Sequence, residues 1–443
     1  MALLINQLNK KQKEAFDLMA TGKNIFLSGV AGAGKSHLIK VFFNIYCKER
    51  VIGVTSTTGT SALLIKGTTM HSYLGIGLGQ GSALTLLSNV KKNNRAFERW
   101  KKLNTLIIDE VSMLPFDLFD KLDYIARSIR NPNLPFGGIS LILCGDLLQL
   151  PPINTDGYFC FHAKSWHKCI EYYIVLEESM RQQDPVFQDC LLDVRNGVIS
   201  PQTKKILEAR IGVPLLNDYG ILPTRLFALN RSVDEINEQE LDKLAEDGAE
   251  FYEYDMVVSY FKSLPIKVIE NFKKNCIAAE KLSLCIGAQV MLIKNLDLER
   301  GLANGSRGVV TSFVAGIPKV KFLNGEEEIV DYNSWDLMDD DIIVASIKQI
   351  SLKVSYALTI HKSQGCTLDL VEVDLSDMFG YSQAYVALSR VTELKGLSIV
   401  SIDWEKIKPS PYAKEFYDKI AKNTEDNKNK DFIPAVQEVE KRL

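Results

Sequence analysis

Near-continuous apolar runs at 24–28, 51–55, 105–108, 140–144 and 172–176 dominate the first part of the chain. None shows the strict alternation of a strand with one wet face. They read as strands of a parallel sheet covered on both sides. Helix-period stretches such as 37–43 separate them, the βα alternation that such a sheet requires. Ligands gather at the carboxyl ends of these strands, so the polar residues closing each run are candidates for a single site. Further runs at 225–229, 370–375 and 396–401 predict a second sheet. Between 264 and 344 the pattern changes to short β-like runs with turns at Asn304-Gly305 and Asn324-Gly325, which predicts a small β-rich insertion in the second sheet. Residues 66–104 are longer than a simple crossover needs. Beyond Trp404 the chain turns polar and charged, with 423–431 too hydrophilic to pack, so 404–443 reads as a charged tail with at most a loosely docked terminal helix.

The first run feeds Gly29-Val-Ala-Gly-Ala-Gly34-Lys35-Ser36. A strand, a glycine turn and a helix start in that order form a phosphate cradle, because bare N–H groups converge on oxyanions at the positive end of the helix. Gly29, Gly32 and Gly34 shape the turn, Lys35 suits the β and γ phosphates, and Ser36 suits Mg²⁺. No Asn-Lys-x-Asp guanine-reading sequence is present, so ATP with Mg²⁺ is expected. Gln12, in the helix-like stretch 8–16, carries an amide that can pair with an adenine edge. Asp109-Glu110 closes the third run. Such a pair is common by chance, but hydrolysis needs two carboxylates beyond phosphate binding: Asp109 to hold Mg²⁺ through water, Glu110 to orient or deprotonate the attacking water. Gln149, in Gly145-Asp-Leu-Leu-Gln149-Leu-Pro-Pro152, ends the fourth run where a γ phosphate would be sensed.

Composition narrows the partners. Lys and Arg number 52 against 55 Asp and Glu, a net charge of −3, so any nucleic-acid binding rests on local basic surface. Lys91, Lys92, Arg95, Arg99, Lys101 and Lys102, interleaved with Phe97 and Trp100, offer such a patch or merely a solvated helix face. No apolar run approaches the ~18 residues of a membrane span, and 1–5 is too short and uncharged for a secretory signal. A cytoplasmic, nucleoid, nuclear or viral-replication-site protein is expected. The eight cysteines include no C-x-x-C pair, which suits reduced thiols. Cys160, His162, His167 and Cys169 have spacings unlike the usual zinc ligand gaps, and no zinc is expected.

Taken together, these motifs resemble those of superfamily 1 helicases of the 5′-to-3′ branch, closest to the Pif (petite integration frequency) DNA helicases and more distantly similar to RecD. The resemblance rests on the P-loop, on 110–130 after the acidic pair, on Pro135-Phe-Gly-Gly138 before the Gly145–Pro152 motif, and on 287–295, 304–310, 357–365 and 383–390. Leu147-Leu148 stands where the family often has an aromatic pair, and Leu229-Asn230 where relatives often have Thr-Asn. The resemblance implies an α/β fold of two RecA-like P-loop NTPase cores with parallel sheets: 1–172 with a wedge at about 66–104, and 173–263 with 345–403, interrupted by a β-barrel-like domain at 264–344. It implies Arg181 and Arg390 as arginine fingers and Gly365 as a nucleotide contact. It maps a DNA track to Thr57, Thr60, His71, Ser72, Asn230, His361, Lys362 and Ser363. The implied activity is ATP-dependent 5′-to-3′ translocation on single-stranded DNA, as a monomer in solution, with unwinding of forked or tailed duplex in replication, repair, recombination or telomere maintenance. An RNA helicase and a nucleotide-switched binding protein that never translocates remain the competing readings.

Overall fold

The computed structural model describes residues 5, 7–152, 155–182, 184–215, 220–297, 299–339 and 342–425. Strands β1 (Ile25–Gly29), β2 (Ile52–Ser56), β3 (Thr68–Thr69), β4 (Thr105–Asp109), β5 (Ser140–Cys144) and β6 (Tyr172–Leu176) form one wholly parallel sheet, in the order β3-β2-β4-β5-β1-β6. Side chains alternate between its faces. Phe26, Leu106, Ile108, Leu141 and Leu143 enter one apolar cluster, whereas Ile25, Leu27, Ile107, Ile142 and Cys144 enter another. Burial on both faces is why these strands read as continuous apolar runs rather than alternating ones.

Within 66–104, β3 extends the sheet edge, and helices Met70–Leu74, Ala83–Lys92 and Asn94–Lys102 follow. Leu86, Leu87, Val90, Ala96 and Trp100 are buried in the same cluster as Leu106, and the Trp100 indole N–H donates to the Leu74 carbonyl at 3.0 Å. These helices therefore cover the sheet rather than protrude. What stands out is the glycine-rich turn 75–82, where Leu78 is 80% exposed.

Strand β7 (Thr224–Phe227) begins a second sheet, and the chain then leaves it for a mostly antiparallel unit. That unit contains β8 (Phe251–Asp255), β9 (Val257–Tyr260), β10 (Lys281–Cys285), β11 (Gln289–Leu292), β12 (Arg307–Val314), β13 (Ile317–Phe322), β14 (Glu327–Ile329), β15 (Tyr332–Asp339), β16 (Ile342–Ile350) and β17 (Leu352–Val354). Its sheets run β14-β13-β12-β11-β17, β15-β16-β9 and β10-β8. Pairing of β8 with β10, β9 with β16 and β17 with β11 carries the unit outside the 264–344 span read from turn signals. The mixed polarity of Phe251-Tyr-Glu-Tyr-Asp255 hides β8 from an apolar pattern. Strands β18 (Ala357–Thr359), β19 (Val371–Val373) and β20 (Leu397–Ile399) then complete the second sheet, parallel throughout, in the order β18-β7-β19-β20. Arg307 of β12 is fully buried and donates to the Thr224 hydroxyl (2.6 Å) and the Leu370 carbonyl (2.9 Å), fastening the inserted unit to this sheet.

The tail expectation needs correction. Pro411–Glu425 is a helix, and Ala413, Phe416 and Ile420 lie 0%, 2% and 5% exposed within the first sheet's cluster. Average composition concealed a narrow apolar stripe at i, i+3 and i+7, the spacing that seats a helix on a core. Residues 426–443 lie outside the described residues.

Candidate active site between the two sheets

The glycine turn after β1 opens the helix Lys35–Tyr46, with Gly34 at its N-cap in the left-handed region at φ +79°. Gly32 is also left-handed, and a Cβ there would lie 2.5 Å from the Cβ of Arg181. Only glycine fits where loop and arginine approach so closely. The Lys35 ammonium donates to the carbonyls of Gly29 (2.7 Å) and Val30 (3.1 Å). The Ser36 hydroxyl donates to Asp109 Oδ2 at 3.3 Å. Gln12 is buried: its amide nitrogen donates to the Ala33 carbonyl (3.2 Å) and its oxygen accepts from Asn9 N (3.0 Å). One N–H and one lone pair remain, the combination an adenine edge requires.

Asp109 ends β4, and Glu110 adopts φ +53°, a left-handed conformation that costs a non-glycine residue about 1–3 kcal/mol and is concentrated at functional sites. Burial pushes the Asp109 carboxyl above its ordinary range, against the pull of the Glu110 N–H, Lys35 and Ser36. Burial, with the neighbouring Asp109 charge, pushes Glu110 up to about 7. Both carboxylates line a cavity of about 410 Å³ with Lys35, Ser36, Gln149, Arg181, Gly365 and Arg390. Residues from β1, β4, the end of β5 and the second sheet thus meet in one space.

Arg390 is 2% exposed, and its guanidinium donates to the Val386 carbonyl (2.9 Å) and the Ser389 hydroxyl (2.8 Å). Arg181 donates to the Ser389 carbonyl at 3.1 Å. Burial lowers both guanidinium pKa values, Arg181 to about 10, and the Arg390 charge adds to the effect on Arg181. Gln364 was missed by motif reading, although it lies between Ser363 and Gly365. Its amide nitrogen reaches across from the second sheet to Glu110 Oε2 (2.8 Å) and Gln149 Oε1 (3.4 Å). An ionised carboxylate can only accept, which sets the orientation of that amide. The Gln364 carbonyl oxygen is buried without a hydrogen bond among the described residues.

The residues mapped to a polynucleotide track are less uniform. The Thr57 hydroxyl donates to the Glu110 carbonyl at 2.8 Å, and Thr57 N donates to the Asp109 carbonyl. Burial lowers the pKa of His71 and of His361, leaving neutral rings at pH 7. Ser72 and Lys362 are exposed. Ser363 is a correction: it is wholly buried, its hydroxyl donates to the Ile360 carbonyl, and it faces the second core rather than solvent. Thr60 and Asn230 lie on helices Gly59–Leu64 and Asn230–Glu246, and their side chains lie outside the described ones. In the basic patch, Arg99 donates to the Tyr73 carbonyl and Lys101 pairs with Glu98, while Lys91, Lys92 and Lys102 are exposed. Cys160 contacts the Val111 carbonyl and Cys169 contacts Asp123, so the Cys/His cluster diverges into separate packing partners.

A glycine loop and acidic strand end on one parallel sheet, met by arginine and glutamine from a second, define a two-core P-loop nucleoside triphosphatase of the helicase class. Comparison with known proteins agrees. Residues 7–205 match the PIF1-like helicase family model, and 268–313 match the 2B domain of DNA helicase Pif1. The ATP-dependent DNA helicase PIF1 of Xenopus laevis is 38% identical over 94% of this chain and 65% of its own length. This chain therefore spans about two thirds of that relative. The ATP-dependent DNA helicase Pif1 of Bdellovibrio bacteriovorus is 35% identical over 93% of this chain and 92% of its own. The crystal structure of Pif1 helicase from Candida albicans superposes with a TM-score of 0.76 at 34% identity, covering 93% of this chain and 99% of that one. Bacteroides Pif1 in complex with ADP-AlF3 and single-stranded DNA gives 0.63 at 27% identity, covering 94% and 97%. The chain belongs to the PIF1-like helicase family.

Proposed function

We propose that this chain is an ATP-dependent DNA helicase that translocates 5′ to 3′ on single-stranded DNA and opens forked or tailed duplex. One observation carries the reading: Arg390 and Gln364 of the second sheet share a cavity with Lys35 and Glu110 of the first. A triphosphate bound there is gripped from both sheets, so its cleavage changes the force between them. Lys35 turns from its two carbonyls to the β and γ phosphates, and the N–H groups of 32–36 cradle the chain. Glu110 accepts a proton from the attacking water, and its raised pKa suits a base near neutrality. Arg181 and Arg390 neutralise charge on the departing phosphoryl group, and Gln149 reports the γ phosphate through Gln364.

The hydroxyl of Ser36 beside the Asp109 carboxylate is a pair of hard oxygen donors facing the cavity, which fits Mg²⁺. Ser36 and Asp109 would hold the ion, which would supply positive charge against the phosphate chain. Thr57, His71, Ser72, His361 and Lys362, with Thr60 and Asn230, grip phosphates and stack on bases without reading sequence. The neutral rings of His71 and His361 contribute stacking and hydrogen bonds rather than charge. The turn carrying Leu78 is the part of 66–104 available to meet a duplex fork. Among the described residues no helix is long and apolar enough to cross a membrane.

Unwinding of duplexes bearing one single-stranded tail tests the reading. Separation with a 5′ tail is expected. Separation only with a 3′ tail would reject the polarity, and ATPase activity that responds to RNA oligomers but not DNA would reject the substrate.

A further inference from the structure

Behind the nucleotide cavity lies a second polar cluster that none of the motifs predicted. The helix Pro411–Glu425 carries Tyr417 into it. Its hydroxyl donates to Asp146 Oδ1 (3.2 Å), accepts from Leu147 N (3.1 Å), and contacts the Ser28 hydroxyl. A phenol has one proton and two lone pairs, so these three partners fill its capacity. Asp146 is wholly buried and held by Arg195 in a two-point fork (3.0 and 2.8 Å) and by Leu148 N (3.1 Å). The Arg195 guanidinium stands 5.0 Å from the centre of the Tyr417 ring. The arginine charge holds the Asp146 carboxyl below its ordinary range.

Two of these partners lie next to segments that line the cavity, the glycine turn and Gln149. Ser28 immediately precedes Gly29, Leu147 precedes Gln149 by two positions, and Arg195 lies on the helix Pro185–Asn196 that follows Arg181. Apolar packing could seat the terminal helix without any of this, because Phe416 alone stacks on Phe161 and meets Phe26 and Trp166. A buried hydroxyl joined both to the end of β1 and to the 146–147 turn constrains their relative placement, and removing it leaves a buried backbone N–H without an acceptor.

We propose that Tyr417 is a positioning residue for ATP turnover. Through Leu147 and Asp146 it holds the 145–149 turn so that Gln149 stays in reach of Gln364 and the γ phosphate, which makes the terminal helix part of the nucleotide site. The inference rests on the helicase reading for its kinetic consequence, but not for the tether itself.

The test compares Tyr417→Phe with Phe416→Leu in the full chain. The first deletes only the hydroxyl. The second loosens the same helix and removes an edge-on contact with the Tyr417 ring, but deletes no hydrogen bond of the polar cluster. Hydrogen exchange is followed at Leu147, Leu148 and Gln149, and DNA-stimulated ATP hydrolysis is followed well below the melting temperature. Tyr417→Phe is expected to lose amide protection at 147–149 and about tenfold in kcat, with KM for ATP within threefold. Phe416→Leu is expected to lower Tm while keeping kcat within twofold. Unchanged protection in Tyr417→Phe overturns the tether, and unchanged kcat, or an equal loss in Phe416→Leu, overturns the positioning role. Wild-type protein without strand-stimulated hydrolysis would overturn the helicase reading instead. The two failures are distinguishable because exchange needs no turnover.

Discussion

Replacing Gln364 by alanine isolates the contact that joins the two sheets over the cavity. The side chain donates to Glu110 Oε2 at 2.8 Å and to Gln149 at 3.4 Å, and the Glu110 bond is the better formed. A hydrogen bond to a charged group contributes about 1.5–3 kcal/mol, or roughly 10- to 150-fold in a rate if the bond is made only as the reaction proceeds. In this structure the bond is already made, between Glu110 just after β4 of the first sheet and Gln364 after β18 of the second, so its loss reaches the rate as far as the transition state draws on it more than the ground state does. ATP binding itself draws on Lys35 and the glycine turn, which the substitution leaves alone. Steady-state ATPase with saturating single-stranded DNA should therefore show kcat reduced about 10- to 100-fold and KM for ATP within threefold. Gln364→Glu should be worse than alanine at neutral pH, because it sets a second carboxylate against Glu110 in a buried site. A raised KM with intact kcat would show that Gln364 acts in binding. No change in either would remove it from the mechanism.

Three further outcomes follow from individual contacts. Lys35→Ala should reduce hydrolysis at least a thousandfold while single-strand affinity, read by fluorescence anisotropy, stays within threefold; that affinity should fall with salt at a log–log slope of about 0.7 per phosphate contacted. Gly32→Ala places a Cβ 2.5 Å from Arg181 Cβ and 2.9 Å from Ser179 Oγ in a left-handed conformation. It should abolish ATPase activity with far-UV circular dichroism unchanged, and a fully active variant would show that the Gly32–Arg181 packing is dispensable. His162 accepts from Phe159 N at 3.0 Å, and burial drives its pKa down to about 4 from 6.5. Between those values the unfolded chain binds a proton that the folded chain refuses, so this contribution is complete above pH 6.5 and is lost as pH falls toward 4. Partial exposure reduces it to about 1–2 kcal/mol at pH 5. Thermal melts at pH 7.5 and 5 should show a smaller acid loss in His162→Gln than in wild type, and equal losses would refute the assignment.

The first sheet was legible because its strands are buried on both faces and end in residues with distinctive chemistry. Gly29 to Ser36, Asp109 and Glu110 announce phosphate handling by their types and spacing, and they converge on one cavity. Less legible were features whose meaning depends on a partner far along the chain. Gln364 is an ordinary polar residue until the fold sets it on Glu110, 254 positions away. Tyr417 sits in a helix of polar average composition, and its hydroxyl gains significance only against Ser28 and Asp146. Strand β8 pairs with β10 through a mixed polar pattern that no periodicity rule selects.

Charge shows the same division between chain and site. A net charge of −3 announces no anionic partner, yet the cavity sets Lys35, Arg181 and Arg390 against Asp109 and Glu110. The two guanidinium groups lie close enough that one lowers the pKa of the other, and each is held mainly by carbonyls and a hydroxyl. The Glu110 charge offsets part of that repulsion at both groups, yet Lys35, Arg181 and Arg390 still stand against two carboxylates in a buried space. A polyanion placed between them reverses the sign of that interaction, and its cleavage and departure restore the repulsion. The positive charge that these arginines bring into the cavity therefore favours a bound polyanion, independently of how the lobes hold a strand.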